Sequence, residues 1–261
     1  MAREMWRLWE GDLRFLLETV AAYVDPERVD AADLTEMWLE AVLEDDEVFE
    51  RLVNSKEFLL AVSPWLYFNV LLRRARHELT REAFTLERRA RQKVVVFDTE
   101  AVAALLEDAA MRDYLAALLA SFTRVSSRTV RVALGRGIWR RYRTSDLDVE
   151  GLMRYAGAVE EAFRFEPYKR IGDVCLFLTG MFPEYTEGRR AARGRLLEGR
   201  EDYERYGRAF YQLAAEHERA EVGGLGTVLA RLSEEFVVAE KPLAFLAERY
   251  LWGWRHELFG I

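Results

Sequence analysis

Residues 165–185, FEPYKRIGDVCLFLTGMFPEY, form the most apolar run of the chain and constrain its fold more than any other stretch. Ile171, Val174, Cys175, Leu176, Phe177, Leu178, Met181 and Phe182 leave no polar stripe, and a helix that is apolar all round is buried on all sides. The run is too short to span a bilayer, which needs roughly 20 apolar residues. Pro167 suits a first helical turn, and Pro183 cannot continue the helix, so the sequence predicts an end near Phe182. Gly172 and Gly180 lie eight residues apart, close to one face. Each costs the helix roughly 1 kcal/mol against alanine, and the return is close approach of neighbouring helices at two levels.

Asp173 is the odd residue inside this run. A buried carboxylate needs a partner or a raised pKa. An ion pair with an arginine is the structural reading, and a site residue beside a pocket is the functional one. A second apolar helix is expected from Ser63-Pro64, serine as N-cap and proline at the first helical position. It carries Trp65, Leu66, Phe68, Val70, Leu71 and Leu72, and the expectation is that it meets the central helix. Asn69 falls in its apolar half and must be hydrogen-bonded. Asp173 is one partner within reach of that reading, which makes Asn69 and Asp173 a candidate buried polar cluster.

The pattern G-D-x-x-L-F-x-x-G-x-F-P-E, held by Gly172, Asp173, Leu176, Phe177, Gly180, Phe182, Pro183 and Glu184, resembles one shared by a group of uncharacterised bacterial helical proteins. The stretch SPWLYFNVLLRRA from Ser63 to Ala75 resembles a second landmark of that group. The resemblance implies one continuous fold and a bacterial origin, and it brings no catalytic residue and no assigned activity with it.

Charge is unevenly spread. The chain of 261 residues has a net charge of −7, but residues 1–50 carry 4 basic and 15 acidic side chains, and residues 73–143 carry 16 basic and 8 acidic. Such asymmetry marks either a nucleic-acid partner or an internal electrostatic match between the acidic front and the basic middle. With 51% hydrophobic residues a core is assured, and 32% charged residues exclude a membrane protein. The N-terminus lacks the apolar core and cleavage site of a signal peptide, so a cytoplasmic location is expected. The single cysteine, Cys175, forms no intramolecular disulfide and reads as a small buried hydrophobe.

Most of the remaining chain alternates helical apolar periodicity with turn residues: Ser145 is expected to N-cap the helix that leads into the central run, a helix is expected from about Asp202 to Val222, and Pro242 is expected to open the last helix. One segment changes period. Thr129-Val130-Arg131-Val132-Ala133-Leu134 alternates, Gly135-Arg136-Gly137 turns, and Ile138-Trp139-Arg140-Arg141-Tyr142-Arg143 follows, which predicts a β-hairpin. No acidic residue occurs between Asp113 and Asp146. Arg128, Arg131, Arg136, Arg140, Arg141 and Arg143, with Trp139, are therefore the candidate nucleic-acid-binding residues, because guanidinium groups bind phosphate bidentately and aromatic rings stack on bases.

Other chemistry finds no motif. His77, His217 and His256 are the only histidines, and none has a Glu three residues before it or belongs to a His-Glu-x-x-His. Gly223-Gly224-Leu225-Gly226 lacks the Lys-Ser/Thr of a phosphate loop and reads as a turn. No metal site and no cofactor are expected. The sequence thus predicts a mainly α protein, a multi-helix bundle of about ten helices with one small β-hairpin. It reads as a single domain, with lobes 1–125 and 144–261 joined by the basic hairpin 126–143 as its internal division. The leading function is non-enzymatic binding or scaffolding, with a protein partner or self-association. The alternatives are a nucleic-acid-binding regulator and, third, a small-molecule enzyme with a pocket near Asp173.

Overall fold

A computed structural model describes residues 8–20, 36–54, 62–81, 85–89, 92–96, 99–123, 127–133, 139–145, 147–187 and 197–261, with only the backbone of 36, 37, 85–89, 92–96, 127–133 and 139–145. The protein is mainly helical. In chain order the elements are α1 (Glu10–Val20), α2 (Glu36–Leu43), α3 (Asp46–Asn54), α4 (Pro64–Arg81), β1 (Thr85–Arg89), β2 (Gln92–Val96), α5 (Thr99–Glu107), α6 (Ala109–Phe122), β3 (Ser127–Ala133), β4 (Trp139–Ser145) and α7 (Val149–Ala158). A 3-10 turn (Glu161–Phe163) leads to α8 (Phe165–Met181), α9 (Pro183–Glu187), α10 (Arg200–Ala215), α11 (Glu218–Gly223), α12 (Gly226–Glu234), α13 (Phe236–Arg249) and α14 (Arg255–Phe259). Among the described residues the helices outnumber the expected ten, in part because α9, α11 and α14 span five or six residues each, too few for a helical period to be read. β1 pairs antiparallel with β2, and β3 with β4.

The chain forms two compact units, one of Met1–Ala83 with Ala103–Thr123 and the other of Phe84–Val102 with Arg124–Ile261. The two apolar helices expected to meet are the spines of different units. α4 packs on α6, α3 and α2 in the first, and α8 on α10, α13 and α7 in the second.

In the first unit, Ser63 caps α4 by accepting from Leu66 N–H at 3.1 Å. The Ser63 N–H in turn donates to Asp12 Oδ1 at 2.6 Å, and Trp9 N–H donates to Asp12 Oδ2 at 2.9 Å. Asp12 is fully buried on α1, so one carboxylate ties the start of α1 to the start of α4. The N-terminal half of α4, from Trp65 to Leu72, is buried on every side. Its basic half is matched by the acidic front: Arg73 to Glu40 at 2.5 Å, Arg74 to Asp46 at 2.5 Å and Arg76 to Glu44 at 2.6 Å. For this part of the basic middle, the internal electrostatic match is what the structure contains.

In the second unit α8 is buried from Ile171 to Met181. Each fully buried large apolar side chain there contributes roughly 1.5–3 kcal/mol. Its two glycines do what the spacing implies. A Cβ at Gly172 would sit 2.6 Å from Cδ1 of Tyr211 on α10, and one at Gly180 would sit 2.7 Å from Cβ of Leu243 on α13. α8 ends at Phe182, as Pro183 demands. Its last carbonyls would be orphaned there. Arg255 on α14 donates to the Met181 carbonyl at 3.1 Å and to Glu184 at 2.6 Å, and its guanidinium lies 5.2 Å from the Phe182 ring centroid. Phe177, Phe182 and Phe259 close the cluster, with centroids 5.0–5.9 Å apart. The F-P-E end of the central pattern is thus a helix stop with its own arginine cap.

Local signals fail at three places. Asp148, not Ser145, caps α7, accepting from Gly151 N–H at 3.0 Å; Ser145 ends β4. The helix expected over residues 202–222 breaks after Ala215, where His217 Nδ1 accepts from Arg219 N–H and caps α11. Pro242 does not open the last helix but lies inside α13, which starts at Phe236. Burial of Pro242, with Leu243 and Leu246 beside it, outweighs the hydrogen bond that proline removes. The glycine break is seen as expected: Gly224 has φ 65°, the left-handed cap of α11, and its N–H returns to the Glu221 carbonyl at 3.0 Å.

Candidate functional site

Four groups of polar residues were brought forward by sequence or are brought together by the fold. The first is Asp173. Its side chain is 2% exposed. Oδ2 accepts from Lys169 Nζ at 2.7 Å, one helical turn earlier, and Oδ1 accepts from the Tyr211 hydroxyl of α10 at 3.0 Å. One of its partners is thus a lysine on the same helix. Both carboxylate oxygens are engaged, and the buried charge is compensated as such a group requires.

Asn69 and Asp173, the expected buried polar cluster, belong to different units. Asn69 is fully buried in the first unit, and its Nδ2 donates to Asp113 Oδ1 at 2.9 Å. Residue spacing shows that a buried asparagine needs a partner, but Asp113 lies 44 positions away on α6, beyond any local pattern.

A third group was missed by sequence reasoning. Arg73 and Arg112, 1% and 4% exposed by side chain, converge on Glu40. Arg112 also donates to the carbonyls of Leu106 and Glu107 at 2.6 and 2.9 Å, closing the last turn of α5. The arrangement satisfies helix-end carbonyls and pairs buried charge, which is structural work.

The fourth group surrounds Glu240 on α13, which is 1% exposed. Arg200, the first residue of α10, donates to Glu240 Oε2 at 2.5 Å and to Glu204 at 2.7 Å. Burial pushes the Glu240 carboxyl up to about 7, against the pull of Arg200 and with a push from Glu204. Burial, with a smaller push from Glu240, also raises the Cys175 thiol well above its ordinary range, so Cys175 behaves as the small hydrophobe its position suggested.

An open cleft of about 730 Å3 lies elsewhere, lined by Ala215, Glu221, Gly226, Thr227, Arg231 and Glu235 among others. Asp173 does not line it. Arg231 donates to Glu235 at 3.1 Å across its edge. Among the described residues no group of His, Cys, Asp and Glu side chains has the makings of a metal site, and no helix is long and apolar enough to cross a membrane.

Of the arginine-rich candidates, Arg128 and Arg131 lie on β3, and Trp139, Arg140, Arg141 and Arg143 on β4. Arg136, with the expected turn at residues 135–137, lies outside the described residues. The backbone register sets Arg131 opposite Arg141, Thr129 opposite Arg143, Ala133 opposite Trp139 and Val132 opposite Arg140. β4 runs beside α7 in the second unit. No family model matches the chain, and neither the curated proteins nor the solved structures include a significant match.

Proposed function

We propose that the protein is a non-enzymatic binding protein whose working element is the arginine-rich hairpin 126–143, and that the partner class is nucleic acid. The observation that carries this reading is the register of β3 and β4, which sets Arg131 directly opposite Arg141. Residues 114–145 contain no acidic side chain, so the segment concentrates positive charge along the chain. A polyanion is the partner that such a segment attracts, and Trp139 and Tyr142 bring rings of the kind that stack on bases to the same strand. The basic half of α4 is matched within the fold by Glu40, Glu44 and Asp46. The enzyme reading near Asp173 loses its support, since that carboxylate is committed to Lys169 and Tyr211. A protein partner or a second copy is the second reading, favoured by the exposure of Phe163 at 61% and Trp252 at 68%.

Fluorescently labelled single- and double-stranded oligonucleotides titrated across a salt series test the proposal. Affinity is expected to fall steeply with salt, and replacing Arg136, Arg140 and Arg141 together by alanine is expected to reduce the slope of log K against log[salt] by about 2–3. No binding at low salt, or an unchanged slope in the triple variant, defeats it.

A further inference from the structure

The register of β3 and β4 divides the hairpin into two unlike faces. Successive residues of a strand alternate between faces, and residues directly opposite one another across a ladder share one. The pairs run without interruption from Ser127 opposite Ser145 to Ala133 opposite Trp139, so the alternation is unbroken along both strands. One face therefore holds Arg131 of β3 with Trp139, Arg141 and Arg143 of β4. The other holds Val130 and Val132 with Tyr142, and also Arg128 and Arg140.

The two faces suit different surroundings. An antiparallel sheet commonly packs one face and wets the other. Two valines and a tyrosine give the second face the apolar area that folding removes from water. The first face has no aliphatic residue larger than Ala133. On it Trp139, Arg141 and Arg143 take successive positions of one row along β4, roughly 6–7 Å from one to the next. Arg131 stands beside Arg141 across the ladder.

We propose that this row is where the nucleic acid is held, and that the nucleic acid is single-stranded. The inference rests on the nucleic-acid reading of the hairpin, and adds the face and the strandedness. In a duplex the base faces are stacked on one another, and an indole meets edges and backbone unless it wedges a step apart. An unpaired strand presents base faces and phosphates together, which suits an indole and guanidinium groups in one row. Trp139 stacks on a base, and Arg141 and Arg143 hold the phosphates that follow it, with Arg131 adding charge beside Arg141. Tyr142 belongs to the other face and takes no base.

The test uses the full-length protein, labelled oligothymidylate and a labelled duplex of the same length, titrated by fluorescence anisotropy across a salt series. Two variants remove equal charge from opposite faces: R131A/R141A and R128A/R140A. Each phosphate contact to a single strand contributes about 0.7 to the salt slope. The first variant is expected to reduce the oligothymidylate slope by about 1.4 and the second by less than half as much. W139A is expected to weaken oligothymidylate binding roughly 5- to 150-fold, the loss of one stacked base, while W139F keeps most of the affinity. Where an alanine variant loses its far-ultraviolet circular dichroism, glutamine at the same arginine positions, or leucine at Trp139, makes the comparison. Equal slope changes from the two faces, W139A within about twofold of wild type, or tighter binding of the duplex overturns this proposal and leaves the nucleic-acid reading standing. Binding of neither probe at low salt overturns both.

Discussion

Leucine in place of Gly172 is expected to destabilise the second unit by more than about 4 kcal/mol, because it combines overpacking with the loss of a buried hydrogen bond. A Cβ at this position already falls 2.6–2.8 Å from three atoms of the Tyr211 ring. Tyr211 is fully buried, and its hydroxyl donates to Asp173. The ring has no room to retreat without surrendering that bond, which is part of what compensates the buried Asp173 carboxylate. Alanine at 172 adds one carbon and gains roughly 1 kcal/mol of helix propensity, so its net cost is expected to be only about 1–2 kcal/mol. Urea unfolding followed by far-ultraviolet circular dichroism separates the two variants. A leucine variant within about 1 kcal/mol of wild type would mean that α10 does not approach α8 as closely as described.

The second large effect is expected in the first unit. Arg112→Ala removes the donor of two helix-end carbonyls and one of the two guanidinium partners of Glu40. Removing one partner of a buried pair costs about 3–5 kcal/mol. Glu40 is 30% exposed by side chain and keeps Arg73, so the expected cost is reduced to about 2–4 kcal/mol. Lysine restores charge but not the fork that reaches Leu106 and Glu40 together, and it is expected to recover less than half of the loss. Arg74→Ala is the control. Its side chain is 31% exposed, lies over the Phe49 ring and pairs with Asp46, 85% exposed, and with Glu78 one turn later, and each solvent-facing ion pair of that kind is worth less than about 1 kcal/mol. Equal losses at Arg74 and Arg112 in the same unfolding assay would show that burial is not what gives Arg112 its effect.

The central helix was legible because its signals are local. Pro167 and Pro183 bound it, the apolar run buries it, and Gly172 and Gly180 mark where neighbours approach. What those neighbours are was not legible. Tyr211 is 38 residues from Asp173 and Asp113 is 44 from Asn69, and nothing in the spacing of either residue names its partner. The charge asymmetry gave the right direction for α4, whose arginines meet Glu40, Glu44 and Asp46, while the pairings themselves depend on how α2 and α3 fold back. Caps were misread where an unusual residue serves. His217 is a poor statistical cap, yet its ring nitrogen is in place, and its Nε2 is held 2.9 Å from the Glu161 carbonyl. Pro242 was read as a helix start because an interior proline is costly, and tertiary burial overrode that preference.

The buried carboxylates of the second unit were legible only as anomalies. Asp173 stood out in an apolar run. Glu240, followed by Lys241 and Pro242, looked like an ordinary charged residue before a helix start, and its burial follows from α13 beginning earlier than proline chemistry suggests. The same shift in helix boundary places the Glu240 carbonyl against Gly180.

Amide hydrogen exchange across residues 171–181 tests most directly that α8 is the spine of the second unit. Its amides are expected to exchange only when the whole unit opens, with protection equal to the global unfolding free energy and a loss in Gly172→Leu that matches the loss in urea. Exchange of these amides well before global opening, at the rates of exposed turn amides, would contradict the account.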